Sequence, residues 1–278
     1  MLVGGKMYEW VCASAIVFVA SALQSITGFG FAIMATPFLL LFYNPQDCIQ
    51  MGTILSVFIA LVLTPKIKQH IDSAILKRLI IGSFFGVPLG LVFFAFAGLE
   101  TIKLSIAVVI LAITLYSFFQ SYQARVRQRA VQTQTAGSNG LQCAVEMEGS
   151  PVPAEKESRP MRKEVLVGFF AGVLTTGVNM PGVPMALYFN NSSFAKEVIR
   201  STTLGFFIVV YITGMIMQLF TVGISLRVVT MALYLIPAGA LGIFVGNLLF
   251  DKINRGMFQI ITNFLLVYIG IYILAESL

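Results

Sequence analysis

The first long apolar run of the chain, residues 10–41, is interrupted near its middle by Gly28 and Gly30 and then by Pro37. Glycine has no Cβ and tolerates unwound backbone, and proline lacks the amide donor that a helix needs. A helix that reaches this stretch should therefore end, expose peptide groups and restart near Phe31. In a bilayer, exposed backbone is tolerated only where it faces protein or a wet cavity. The alternative is that these small residues form a surface for close helix packing, which is common in membrane proteins.

A second interruption of the same kind occupies residues 174–184. A shift of 149 residues, which places Thr27 on Thr176, also aligns several other pairs without a gap. These pairs are Gly28 with Gly177, Arg78 with Arg227, Pro88 with Pro237 and Gly90 with Gly239. The single shift predicts an internal duplication. Paired helix interruptions in the two halves of an apolar chain are typical of the binding sites of transporters.

The composition predicts an all-α polytopic membrane protein. The chain is 58% hydrophobic and only 11% charged, whereas a soluble domain has about 25% charged residues. Apolar stretches and polar turns predict about eight transmembrane helices in two four-helix repeats, with the first helix of each repeat broken. The first repeat is predicted over residues 1–122, a polar flexible linker over 123–163 and the second repeat over 164–278. The net charge of +6 is spread among short loops, so it indicates membrane orientation rather than nucleic-acid binding.

The length of the first apolar segment leaves two arrangements open. Residues 8–43 are too many for one straight span of about 20 residues. The matching segment of the second half, residues 165–189, has room for one crossing, so one broken crossing is favoured and a re-entrant hairpin stays open. Four spans per half give both halves the same orientation. The positive-inside rule then places the linker and both termini in the cytoplasm of a cell-membrane protein. In this arrangement Lys196 and Arg200 fall near the outer face, against the rule.

The acidic residues lie at the ends of the predicted spans, in loops or in the linker. Carboxylates inside the membrane are the usual proton and cation sites, so this distribution favours an anion as the ligand. A broken helix offers unpaired N–H groups and the positive end of a helix dipole, which bind anions without a charged side chain. Arg200 begins the span that follows the second break, although it could instead be an interfacial arginine paired with Glu197. The candidate binding residues are Thr27, Gly28, Phe29, Gly30, Thr176, Gly177, Asn179, Gly182 and Arg200.

No cofactor and no metal site are predicted. His70 is the only histidine, and the three cysteines have no metal-ligand spacing. A membrane-embedded enzyme is an alternative, but it needs a nucleophile, an acid–base pair or metal ligands, and no such set of residues is visible. A non-transporting membrane assembly protein, with the linker as its working part, is another. The expected partners are a small anion and the lipid bilayer, while the oligomeric state, the coupling ion and the direction of transport stay open.

Short glycine and proline motifs in both halves resemble those of the sulfite exporter TauE/SafE family. In the first half they are Gly28-x-Gly30 followed by Pro37, and Gly86-x-Pro88-x-Gly90; in the second half they are Gly177 to Pro184, and Arg200-Ser-Thr-Thr203. The resemblance covers nearly the whole chain apart from the linker. It implies about eight spans in two repeats and a transporter rather than an enzyme. It also implies that the substrate is sulfite, an organosulfonate or a related sulfur oxyanion.

Overall fold

The computed structural model describes residues 2–109, 111–112, 161–190 and 194–249, and within these ranges it is all helical, without strands. Five of its helices, α1, α3, α4, α8 and α9 as defined below, are long and apolar enough to cross a bilayer. The prediction of an all-α polytopic membrane fold is confirmed. Most of the linker, the end of the predicted fourth span and the predicted eighth span lie outside the described residues. The helices are α1 (Leu2–Thr27), α2 (Phe31–Leu39), α3 (Pro45–Ile67), α4 (Ser73–Phe96), α5 (residues 99–109), α6 (Met161–Val178), α7 (Gly182–Asn190), α8 (Lys196–Thr221) and α9 (Leu226–Leu249).

Capping side chains fix where α3 and α4 begin. The Asn44 side chain accepts the N–H of Asp47 at 2.9 Å, and Pro45 occupies the first helical position. Proline is pre-organised for this position, and the Asp47 carboxylate is favourable at the positive end of the helix dipole. In the same way, the Asp72 side chain accepts the N–H of Ala74 at 2.9 Å. The caps start each helix directly after a short connection, and both α3 and α4 pack on α8.

Glycines bring two pairs of helices into backbone contact. A Cβ on Gly86 of α4 would overlap the carbonyl oxygen of Phe169 in α6, and a Cβ on Gly242 of α9 would overlap that of Phe18 in α1. Small residues permit this close approach in membrane helices. Along α4, Gly82 faces Val165 and Gly86 faces Phe169, so α4 and α6 run in the same direction. Successive glycines of α9 likewise contact successive residues of α1, so α9 and α1 also run in the same direction.

The second interrupted segment folds back on itself. The Tyr188 hydroxyl, near the end of α7, donates a hydrogen bond of 2.8 Å to the carboxylate of Glu164, near the start of α6. If α7 continued in the direction of α6, these residues would be separated by about 36 Å at 1.5 Å per residue. The prediction of one crossing with a break in its middle is therefore wrong here. Helices α6 and α7 form a re-entrant hairpin, and residues 179–181 are its tip, called the second tip below.

The first interrupted segment also returns. Burial raises the pKa of the Tyr43 hydroxyl, Glu9 and Cys48 raise it further, and Arg227 lowers it. Helix α2 packs on α1, and Tyr43, which follows α2, lies within electrostatic reach of Glu9 near the start of α1 and of Arg227 near the start of α9. A continuous helix would separate Glu9 from Tyr43 by about 50 Å. The hairpin that the sequence left open is therefore the observed arrangement, with residues 28–30 as the first tip.

The two ends of the helical bundle are identified by hydrogen bonds between helix termini. At one end, called the linker face because α6 begins there, the N–H of Asp72 donates to the Thr202 hydroxyl at 3.0 Å and Arg78 pairs with Glu164 at 2.8 Å. At the other end, called the far face, the Gln50 side chain donates to the carbonyl of Gly223 at 2.8 Å. Helices α4, α6 and α8 begin at the linker face, while α3 and α9 begin at the far face.

Helices α1 and α6 run in opposite directions. Ser25, near the end of α1, donates to Asn247, near the end of α9, at 3.1 Å, and Asn247 also accepts from Arg200 near the start of α8. Helix α1 thus ends toward the linker face, where α6 begins. Each re-entrant hairpin enters and leaves on the same side, whereas the prediction of four spans per half counted it as one crossing. The prediction that both halves share one orientation, with the N-terminus and the linker on the same side, is therefore wrong. Lys196 and Arg200 now lie on the same face as the basic α3–α4 turn, which removes the conflict with the positive-inside rule.

Candidate functional site

The first tip needs glycine for its backbone conformation. Gly28 has φ of +81° and Gly30 has φ of +144°, a region that residues with a Cβ rarely adopt. A Cβ on Gly28 would lie 2.8 Å from the Cα of Arg200, so the first tip rests directly on α8. The Thr27 hydroxyl donates to the Leu23 carbonyl at 2.9 Å and accepts the N–H of Phe29 at 3.2 Å. Thr27 therefore stabilises the turn itself.

The start of α2 carries amide donors at the first tip. The first N–H groups of a helix have no partner within the helix. The N–H of Phe31 is accepted by the side-chain oxygen of Gln24 at 3.2 Å, and the N–H of Met34 is the first that a backbone carbonyl, that of Gly30, accepts. Among the described residues, the N–H groups of Ala32 and Ile33 have no hydrogen-bond partner. The first turn of α2 thus presents donors at the tip.

The second tip is centred on Asn179, which is fully buried and has φ of +60°. Its side-chain nitrogen lies 3.5 Å from the Thr36 hydroxyl, and its side-chain oxygen lies 3.3 Å from the Thr53 hydroxyl. A Cβ on Gly52 would overlap the Asn179 side-chain nitrogen, so glycine at residue 52 leaves room for the Asn179 side chain beside α3. The second tip is therefore held between α2 and α3 of the first half.

The two tips touch each other. An ideal Cβ on Gly182, the first residue of α7, would lie 3.4 Å from the Cβ of Phe29 and 3.5 Å from the end of the Ile33 side chain. Helices α2 and α7 therefore begin at adjacent positions inside the bundle. The start of a helix carries the positive end of its dipole and unsatisfied N–H groups. Two such ends converge here.

Arg200 adds a positive charge beside the first tip. Its residue is 8% exposed, and its guanidinium donates to the side-chain oxygen of Asn247 at 2.7 Å. The same oxygen accepts the Ser25 hydroxyl at 3.1 Å. Asn247 of α9 therefore forms hydrogen bonds with both α1 and α8. The guanidinium is thereby anchored between α8, α9 and α1.

Two of the predicted site residues face away from the tips. The Thr176 hydroxyl donates to the carbonyl of Val87 in α4 at 2.8 Å. A Cβ on Gly177 would lie 3.4 Å from the ring of Phe93, also in α4. Both positions therefore contribute to the packing of α6 on α4. The predicted residues that the fold gathers at or beside the tips are Thr27, Gly28, Phe29, Gly30, Asn179, Gly182 and Arg200.

Sequence reasoning assigned no role to Gln24, Thr36 or Thr53, which contact the tips through their side chains. An amide in the last turn of an apolar helix, as at Gln24, is the one available signal, since a buried polar group needs a partner. The contacts of Thr36 and Thr53 depend on the return of the hairpins and leave no local signal.

Carboxylates in the described part of the chain take no part in the tip contacts. Glu164 is buried, with its side chain 2% exposed, but it pairs with Arg78 at the linker face. Arg78 of α4 therefore forms an ion pair with α6. Within the same residues, no group of three or more histidine, cysteine, aspartate or glutamate side chains is placed to hold a metal ion.

These features define a multi-pass membrane protein with two re-entrant hairpins whose tips meet between its long helices. The chain belongs to the sulfite exporter TauE/SafE family, whose family model matches residues 13–273. The family resemblance found in the sequence motifs is thereby confirmed. Comparisons with curated proteins and with solved structures give no match.

Proposed function

We propose that this protein transports a small anion, sulfite or a related sulfur oxyanion or organosulfonate, and binds it where the first and second tips meet. The observation that carries the proposal is the convergence of the starts of α2 and α7 beside the buried guanidinium of Arg200. Helix starts bind anions through N–H groups and the helix dipole. Membership of the TauE/SafE family supports a sulfur anion as the substrate.

The helix packing supports a description of the protein as an inverted repeat, with halves at residues 1–122 and 164–278 and a linker at 123–163. Under the duplication, α6 corresponds to α1 and α9 corresponds to α4. Helix α4 packs on α6 and α9 packs on α1, so each half supplies the partner for the equivalent helix of the other. Inverted repeats with interrupted helices at a central site are a recurrent transporter design, in which one half rocks against the other. Each re-entrant hairpin then replaces one of the eight predicted spans, which leaves three crossings in each half.

The charge distribution supports a cytoplasmic linker face and a far face outside the cell membrane. Positive residues concentrate on the cytoplasmic side of membrane proteins. The basic residues at the linker face are Lys66, Lys68, Lys77, Arg78, Arg162, Lys163, Lys196 and Arg200. The charged residues at the far face are Lys6, Glu9, Asp47, Glu100, Lys103 and Arg227. This orientation places the linker in the cytoplasm, as the sequence predicted, but the N-terminus outside.

Flux measurements on proteoliposomes test the proposed function. Purified protein should exchange at least one anion from a panel of sulfite, sulfate, thiosulfate and methanesulfonate, with saturable kinetics. Replacing Arg200 with glutamine should weaken the affinity for that anion about tenfold or more, the scale of a hydrogen bond to a charged group. Arg227→Gln is the matched control, because Arg227 is exposed at the far face. Absence of saturable flux for every anion, in protein that is correctly inserted, would contradict the proposal.

A further inference from the structure

Gln24 holds a buried amide directly over the start of α2. The residue is 1% exposed, and its side-chain oxygen accepts the N–H of Phe31 at 3.2 Å. Its side-chain nitrogen, Nε2, is buried without a hydrogen-bond partner in the described part of the chain. Because the two polar atoms of one amide are close neighbours, Nε2 also lies beside the first turn of α2.

The orientation of this amide is fixed by its neighbour. The Phe31 N–H is a donor, so the Gln24 atom that faces it must be the oxygen, and the atom left over must be the NH₂ donor. A buried donor without an acceptor carries a desolvation cost that a bound acceptor would remove. The nearby N–H groups of Ala32 and Ile33 are donors as well. Gln24 Nε2 and the N–H groups of Ala32 and Ile33 are therefore three neighbouring donors that have no acceptor among the described residues.

We propose that Gln24 is a substrate-binding residue, and that its Nε2 and the first-turn N–H groups of α2 hold one unprotonated oxygen of the transported oxyanion. This inference rests on the proposed function and adds a residue and an orientation to it. Three neighbouring donors without acceptors at the positive end of a helix suit the oxygen of a sulfite or sulfonate group. They do not suit a cation or a ligand that presents an O–H or N–H to the site.

Two substitutions separate ligand binding from a purely structural role. Gln24→Glu keeps an oxygen to accept the Phe31 N–H but replaces the Nε2 donor with a second oxygen and adds negative charge. Gln24→Met has about the same length and removes both polar atoms. If Gln24 only caps α2, Gln24→Glu should retain anion affinity and Gln24→Met should not. Our inference predicts the opposite order, with a loss of about tenfold for Gln24→Met and about a hundredfold for Gln24→Glu.

The matched control is Gln218→Met. Gln218 is also a glutamine in a long apolar helix, is 1% exposed and has side-chain atoms without hydrogen-bond partners among the described residues. It lies near the end of α8, toward the far face, and so should change affinity by no more than about twofold. Equilibrium binding of sulfite and methanesulfonate to purified protein is the measurement.

The outcomes distinguish the inference from the proposed function. If the unaltered protein binds neither anion, the proposed function and this inference both fail. If the unaltered protein binds one and Gln24→Glu keeps its affinity within about twofold, the inference alone fails. If the variants do not fold, amide hydrogen exchange of the unaltered protein decides instead. The bound anion should slow exchange at Ala32 and Ile33, and unchanged exchange there would overturn the inference.

Discussion

The hydrogen bond between Tyr188 and Glu164 should contribute measurably to stability, because it joins the end of the second hairpin to its beginning. Glu164 is 2% exposed at its side chain, so water screens the contact poorly, whereas Arg78 is 34% exposed. A hydrogen bond to a charged group contributes about 1.5–3 kcal/mol. Because Arg78 still holds the carboxylate after the hydroxyl is removed, we expect Tyr188→Phe to cost about 1.5 kcal/mol of unfolding free energy.

A double-mutant cycle isolates this contact from the effects of each substitution alone. In a Glu164→Ala background, Tyr188→Phe should cost less than about 0.5 kcal/mol, since its partner is already absent. The assay is the unfolding free energy in mixed micelles, measured by titration with sodium dodecyl sulfate. Tyr211→Phe is the control, because Tyr211 is a buried tyrosine in the middle of α8, and its cost should be equal in both backgrounds. An equal cost for Tyr188→Phe in both backgrounds would refute the folded-back hairpin.

Three further predictions concern topology, packing and charge. In protein without its native cysteines, Gln69→Cys should be labelled only from the cytoplasm and Glu100→Cys only from outside, and the reverse pattern would overturn the orientation. Gly86→Ala should lower the free energy of unfolding by about 1–3 kcal/mol, because its Cβ meets the α6 backbone. Gly98→Ala should not lower it, because the nearest neighbour of the added Cβ would be 4.0 Å away. No single carboxylate at a span end should be indispensable for flux, and complete loss in an inserted single variant would reveal a missed proton or cation site. The residues to neutralise singly are Asp47, Glu197 and Asp251.

Local sequence chemistry was enough to predict where the helices end. Gly28 and Gly30 adopt backbone conformations that favour glycine, and Asn179 adopts the left-handed conformation that asparagine tolerates better than most residues. These residues mark a helix end whatever follows it. Asn44 and Pro45 begin α3 for a similar reason, because capping depends on neighbours in the chain.

The direction of the chain after each interruption could not be predicted locally. A returning helix and a continuing helix are equally apolar, and the contacts that hold α7 back, such as Tyr188 with Glu164, join residues 24 positions apart. The predicted number of spans therefore gave the second half the wrong orientation. The positions of Lys196 and Arg200 indicated this error, since both residues violate the positive-inside rule in the predicted arrangement and satisfy it in the observed one.

The site could be predicted only in part for a related reason. Thr176 and Gly177 match Thr27 and Gly28 in sequence, but they lie within the last turn of α6 and face α4. The hydroxyls of Thr36 and Thr53 reach the second tip from helices that the sequence does not place beside it. Contacts between two hairpins are long-range, and short motifs do not encode them.

The most direct test of the central claim compares anion affinity and thermal stability in Gly182→Ala and Gly177→Ala. Each added Cβ would meet its nearest neighbour at 3.4 Å, so both variants should fold. At Gly182 the methyl group enters the contact between the two tips, whereas at Gly177 it faces α4. We predict that Gly182→Ala weakens sulfite binding about tenfold, or about 1.4 kcal/mol, and that Gly177→Ala leaves it unchanged. Equal affinities in both variants and the unaltered protein would contradict the placement of the anion between the tips.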